Sequence, residues 1–153
     1  MIPFVDLKPI HEPLKDSFQT VLDHCLTASD FVTGKLVSKF EEEFANYCNT
    51  KHCVGVSSGT AALFLSLKAL GIQEGDEVII PSHTFIATAM AVSQCGATPI
   101  FVDVDEASWN ITWEHISPKI NSKTKAIIVV HIYGNPVDIQ QIIEESKKIN
   151  LPV

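Results

Sequence analysis

The chain is 153 residues long, enough to bury one real core and too short for two full domains. With 46% apolar and 19% charged residues it has the composition of a globular protein, not of a disordered or fibrous one. A formal charge of -7 and the absence of arginine speak against a nucleic-acid partner, whose phosphates demand a clustered positive field.

Along the chain, Leu14, Phe18, Val21, Leu22 and Cys25 recur at helical spacing behind Pro13, which suits a first turn because its missing N–H is not needed there. After a loop at Thr33-Gly34, the residues Val37, Phe40, Phe44 and Tyr47 form a second apolar stripe, and Glu41, Glu42 and Glu43 read as its solvated face. From Cys53 the pattern becomes strand, turn, helix, repeated. Strands are expected at His52–Val56, Glu77–Ile80, Pro99–Val104 and Ala126–Ile132, with a fifth beginning at Leu151. Helices are expected at Thr60–Leu70, Thr84–Cys95, Thr112–Ile120 and Val137–Ile149, the first two stopping at Gly71 and Gly96. The strands recur roughly every 25 residues as unbroken apolar runs, the habit of a parallel sheet covered on both faces. An α/β fold follows. Because a core strand is only starting at Leu151, the chain is expected to be the front part of something longer.

The cysteines Cys25, Cys48, Cys53 and Cys95 show no CxxC spacing and read as buried free thiols, so neither disulfides nor a metal site are expected. Met1–Lys8 carries an acid inside its apolar run and lacks a basic leader, and no apolar run approaches the roughly 20 residues of a membrane helix. A cytoplasmic protein without membrane partners is expected.

The chemistry concentrates where strands give way to helices. At Ser57-Ser58-Gly59-Thr60 the first helical N–H groups have no internal partner, the helix dipole is positive, and Gly59 lets a ligand approach the backbone. Such a turn is ready to take a phosphate; the plain reading is that Ser58 or Thr60 caps the helix. Neither GxGxxG nor GxxxxGK[ST] is present, which removes the usual dinucleotide and P-loop readings. The next junction, Pro81 to Ala89, offers Phe85 either as cover for a planar ring or as core, and His83 with a weaker claim. Asp103 and Asp105 fit turns, and His131 a satisfied histidine near the core.

In order, the pieces IPFVDL (Ile2–Leu7), Thr33-Gly34 with Val37 and Phe40-Glu41, Tyr47–His52, VGVSSGTAAL (Val54–Leu63), GDEVIIP (Gly75–Pro81), TFIATA (Thr84–Ala89), GATPIFVDVD (Gly96–Asp105), KTKAII (Lys123–Ile128) and HIYGNPVD (His131–Asp138) span almost the whole chain. In this order it resembles the sugar-nucleotide aminotransferases that depend on pyridoxal phosphate, the DegT/StrS-like group. The resemblance implies a three-layer α/β/α sandwich, the N-terminal part of the large domain of a fold-type I transferase. Residues 1–50 would be a helical segment packing on that domain, and 51–153 an incomplete cofactor-binding domain. It implies that Gly59, Thr60 and Ala61 give backbone N–H groups to the cofactor phosphate, with Ser58 in the same turn and the Thr60 hydroxyl nearby, and that Phe85 stacks on the pyridine ring.

The resemblance further implies transfer of an amino group from an amino acid, glutamate by expectation, to a nucleotide-linked keto-sugar, in a cytoplasmic homodimer feeding surface-polysaccharide or deoxyaminosugar synthesis. The acid that pairs with the pyridine nitrogen and the Schiff-base lysine are expected beyond Val153. None of the eleven lysines sits in a motif like the family's, so no catalytic residue is assigned in this chain. The alternatives are a dehydratase of the same family, with histidine in place of that lysine, and a non-catalytic fragment that serves in dimerisation or binding.

Overall fold

A computed structural model describes residues 3–153, so Ile2, which opens the first of those motifs, lies outside it. Unbroken apolar runs need cover on both faces, and the three that pair obtain it in one parallel sheet. Its strands are β1 (Glu77–Pro81), β2 (Thr98–Val102) and β3 (Thr124–Ile127), in the order β2-β1-β3. Val78 lies opposite Pro99 and Ala126, and Ile79 opposite Ile100 and Ile127, with an irregularity between Glu77 and Val78 on the β3 side. Pro99 is tolerable because β2 is an edge strand, where a missing N–H breaks no ladder.

Alternation along β1 sorts the core into two halves. Val78 and Ile80 pack with Leu67, Ile72, Val92 and Ala126 beneath α4 (Gly59–Ala69) and α5 (Ala87–Gln94). Ile79 packs on the other side with Val102, Ile111, Ile116 and Ile142, beneath α6 (Trp113–Ile116) and α7 (Ile139–Lys148). The result is a three-layer α/β/α sandwich. Ser146 of α7 is 1% exposed, and its Oγ has no partner among the described residues. An unpaired buried hydroxyl is costly and alanine is the better helix former. Ser146→Ala should therefore stabilise the protein by about 1 kcal/mol, read as a higher urea midpoint at unchanged slope.

Contacts divide the chain into two units between Gly55 and Val56. The first contains α1 (Lys8–His11), α2 (Lys15–Ala28) and α3 (Lys35–Tyr47). The expected stripes form, and within this unit they stay open: Phe18, Leu22, Phe40 and Phe44 are all exposed, and only Ala45 of α3 is buried. Phe40 and Phe44 stack at 5.5 Å. The acidic row is less uniform than expected. Glu43 forms an exposed pair with Lys39 at 3.7 Å, of little energetic weight, whereas Glu41 accepts the Gly55 N–H at 2.7 Å. At the start of α3 the Asp30 carboxylate accepts the Lys35 N–H at 3.1 Å and fills the space where a side chain on Gly34 would begin, so this glycine is required by packing.

Several expected boundaries shift. His52–Val56 is not a strand: among the described residues it joins no ladder, and Val54 is 75% exposed. A strand is made by its ladder partner, not by its apolar pattern alone. Strand β3 begins earlier and ends at Ile127; Ile128 N–H still donates to Ile79 O at 2.8 Å, after which β1 reaches Pro81 and the ladder stops. Leu151–Val153 is not a strand either, although Ile127 N–H donates to Pro152 O at 2.9 Å. Helix α5 starts at Ala87 and not at Thr84; its entry is the turn Phe85–Thr88, closed by Thr88 N–H on Phe85 O at 3.1 Å. All four cysteines are free, but only Cys95 is buried, which pushes its thiol pKa up through desolvation; Cys48, at the end of α3, is exposed. Among the described residues no helix is long and apolar enough to cross a membrane.

Candidate functional site

From β1 the chain runs to β2 on one side, then crosses to β3 on the other, so the sheet order reverses at the β1/β3 pair. Segments leaving the carboxyl ends of such a pair diverge and open a crevice. A cleft of about 690 Å³ lies there, lined by Thr84 and Phe85 after β1, by Ile128–Tyr133 after β3, and by Gly59 and Thr60 at the start of α4.

The polar end of this cleft is built by Ser58. Its extended backbone ends the preceding segment, its Oγ accepts the Ala61 N–H at 3.1 Å, and its carbonyl accepts the Ala62 N–H at 2.9 Å. The capping reading is therefore realised, by Ser58 and not by Thr60. Capping uses the Ala61 N–H and leaves those of Gly59 and Thr60 without a partner among the described residues. A side chain on Gly59 would meet nothing within 4 Å, so the backbone is open to an approaching group. Two free N–H groups thus stand at the positive end of an 11-residue helix.

The Phe85 ring is 75% exposed, which excludes the core reading and leaves an aromatic face on the cleft wall. The flanking Thr84 and Thr88 hydroxyls bond at 2.9 Å and tie this turn to the first turn of α5. His83 stands behind the wall, its ring 5.4 Å from Trp109 and 5.7 Å from Tyr133, with Nε2 buried and unpartnered among the described residues. His131 is exposed, not near the core, though its Nδ1 is satisfied by the Val137 N–H at 3.0 Å. Asp103 and Asp105 are turn residues: Asp103 Oδ1 accepts the Val104 N–H, and Asp105 Oδ2 accepts Ser108 N–H, Ser108 Oγ–H and Ala107 N–H. The backbone and hydroxyl bonds from Ser108 hold the Asp105 pKa below the ordinary carboxylate range.

His131, Ile132 and Tyr133 also line the cleft, and the sequence by itself assigns them no ligand role. The available signal was the Gly134-Asn135-Pro136 turn directly after them, which makes the chain double back at the strand end. Tyr133 itself takes a left-handed φ of 54°, followed by Gly134 at 77°.

Residues 13–153 match the model of the DegT/DnrJ/EryC1/StrS aminotransferase family. The chain belongs to this family. The DegT/DnrJ/EryC1/StrS relatives include dTDP-3-amino-3,6-dideoxy-alpha-D-galactopyranose transaminase of Aneurinibacillus thermoaerophilus, 44% identical over 153 residues, all of this chain and 42% of that protein. Among solved structures, DesV of S. venezuelae superposes with a TM-score of 0.95 at 41% identity, over 98% of this chain and 40% of that one. NtdA from Bacillus subtilis, solved with bound cofactor PMP, superposes with a TM-score of 0.91 at 33% identity, over 98% and 35%. The chain thus spans about two fifths of the length of the family members it matches, and its three-layer sandwich is the fold they share over that part.

Proposed function

We propose that this chain forms the phosphate-and-ring side of a pyridoxal-phosphate site in an aminotransferase that moves an amino group from an amino acid, glutamate in our reading, to a nucleotide-linked keto-sugar. The observation that carries the proposal is the meeting, in one cleft, of the unpartnered Gly59 and Thr60 N–H groups with the exposed ring of Phe85. The relative from A. thermoaerophilus acts on a dTDP-linked sugar and the NtdA structure holds PMP, which supports this choice of substrate and cofactor.

When bound, pyridoxal phosphate supplies the electron sink that lets an amino group pass from donor to acceptor. The residues here bind and orient. Gly59 and Thr60 donate N–H to the phosphate, and the Thr60 hydroxyl lies in the same turn. Ser58 fixes the first turn of α4, and the Ala61 N–H, which it holds at 3.1 Å, reaches an anion only by sharing that bond. Phe85 covers a face of the pyridine ring. No lysine or carboxylate lines the cleft among the described residues. We assign the Schiff-base lysine and the acid for the pyridine nitrogen to residues outside this segment. Homodimerisation, a cytoplasmic location and a role in surface-polysaccharide or deoxyaminosugar synthesis belong to the same reading.

The test is a titration of the protein at its natural length with pyridoxal phosphate, followed by visible absorbance, and an assay of amino transfer from glutamate to keto-sugar nucleotides. Phe85→Ala should weaken cofactor binding roughly 2–10-fold, the worth of one aromatic stack. Uptake no greater than that of an unrelated lysine-bearing protein would remove the cofactor from this reading.

A further inference from the structure

The cleft wall after β3 is held by a pair of asparagines far apart in sequence. Asn110 is 4% exposed, and its Nδ2 donates to Asn135 O at 3.3 Å and to Pro136 O at 3.1 Å. Asn135 returns the bond: its Nδ2 donates to Ser108 O at 2.8 Å. Both Nδ2 partners of Asn110 are carbonyls, which fixes the orientation of its amide, since an oxygen there would face two other oxygens. Each loop so tied contains a non-glycine residue in the left-handed region, Trp109 at φ 60° and Tyr133 at φ 54°. Such backbone persists only where its surroundings over-determine it. The rings of both residues lean on His83, at 5.4 and 5.7 Å.

We propose that Asn110 and Asn135 are positioning residues whose crossed amides lock the 105–110 and 131–136 loops together, so that His131, Ile132 and Tyr133 form a fixed wall of the ligand cleft. The clamp touches no ligand itself. It sets the distance between the wall and the sheet end, and with it the fit of a flat ligand, while the anion site at Gly59 and Thr60 is built independently by Ser58. Side-chain amides suit this task because each supplies two directed donors without charge, and Asn110 is buried deeply enough that water does not compete for them. The inference rests on the cofactor reading for its ligand, but not for its geometry.

The test compares Asn110→Ala, Asn135→Ala and the double variant in the protein at its natural length, with pyridoxal phosphate and inorganic phosphate as probes. Asn135 is exposed, so its variant keeps the comparison valid if Asn110→Ala folds poorly. Each single change should weaken pyridoxal phosphate about tenfold, and the double change no further, because the two amides act as one unit. Binding of inorganic phosphate, followed by phosphorus NMR, should stay as it was. Asn110→Asp, which keeps the volume but sets an acceptor oxygen against both carbonyls, should weaken pyridoxal phosphate at least as much as Asn110→Ala. In the ligand-free protein the His83 ring protons, assigned through His83→Gln, should lose the shift imposed by Trp109 and Tyr133. Unchanged cofactor affinity in both single variants, additive losses, or a parallel loss of inorganic phosphate would each overturn the clamp. Should the unsubstituted protein take up no pyridoxal phosphate, the cofactor reading falls and the His83 resonances alone decide the clamp.

Discussion

Thr60→Asp should weaken pyridoxal phosphate at least about a hundredfold while leaving the ligand-free protein as stable as before or slightly more so. Thr60 is the second residue of α4, where a carboxylate faces the positive end of the helix and stabilises it by about 0.3–1 kcal/mol. The same carboxylate then occupies the anion site. Like charges about 4 Å apart at an effective dielectric near 20 repel by about 4 kcal/mol, more than enough for a hundredfold loss against a phosphate dianion. A substitution that merely damaged the fold would instead lower stability and affinity together. Pyridoxal, which lacks the phosphate, should bind the variant about as well as the parent. If Thr60→Asp retains pyridoxal phosphate within about threefold, the phosphate lies elsewhere and the cleft must be read without it.

Ile80→Ala should cost about 3–4 kcal/mol, a large share of what a domain of this size has to lose. Ile80 is fully buried in the central strand, and its neighbours come from α4, α5 and β3, so the cavity cannot close by moving one element. Phe101, opposite Ile80 on the edge strand, is 52% exposed despite its size. Phe101→Ala should therefore cost under about 1 kcal/mol. Urea unfolding of the two variants at matched slopes decides the matter. A larger loss for Phe101 than for Ile80 would mean that the sheet edge, and not its centre, carries the core.

The parts of the fold legible in the sequence were those whose signal is local. Runs such as Val78–Ile80 announced the paired strands, and Gly71 and Gly96, with φ of 80° and 81°, ended their helices where expected. The misreadings share one cause. His52–Val56 looks like a strand residue by residue, yet it has no ladder partner among the described residues, and pairing is not a property of the segment. The helix expected from Thr84 starts at Ala87, behind a turn at Phe85–Thr88 whose closing bond nothing in the local pattern announces. Ser58, Gly59, Thr60 and Phe85 stood out because each lies where an apolar run gives way to a helix, and the structure puts Gly59, Thr60 and Phe85 on one cleft. Asn110 and Tyr133 did not, since the bonds and contacts that give them a place cross from one loop to another. A buried asparagine is indistinguishable from a surface one until its partners are known.

The order β2-β1-β3 also bears on what it costs to close the cleft. Glu77 meets Thr98 across the short α5 crossover, whereas Val78 meets Ala126 only after the chain has passed through β2 and the whole stretch that includes α6. Each doubling of a loop adds only about 0.6 kcal/mol to its closure, so the β1–β3 pairing is the costlier of the two by a small margin. The cleft opens at the end of that pair. A molecule bound there touches the segments leaving both strands, and by mass action it favours the state in which they are paired.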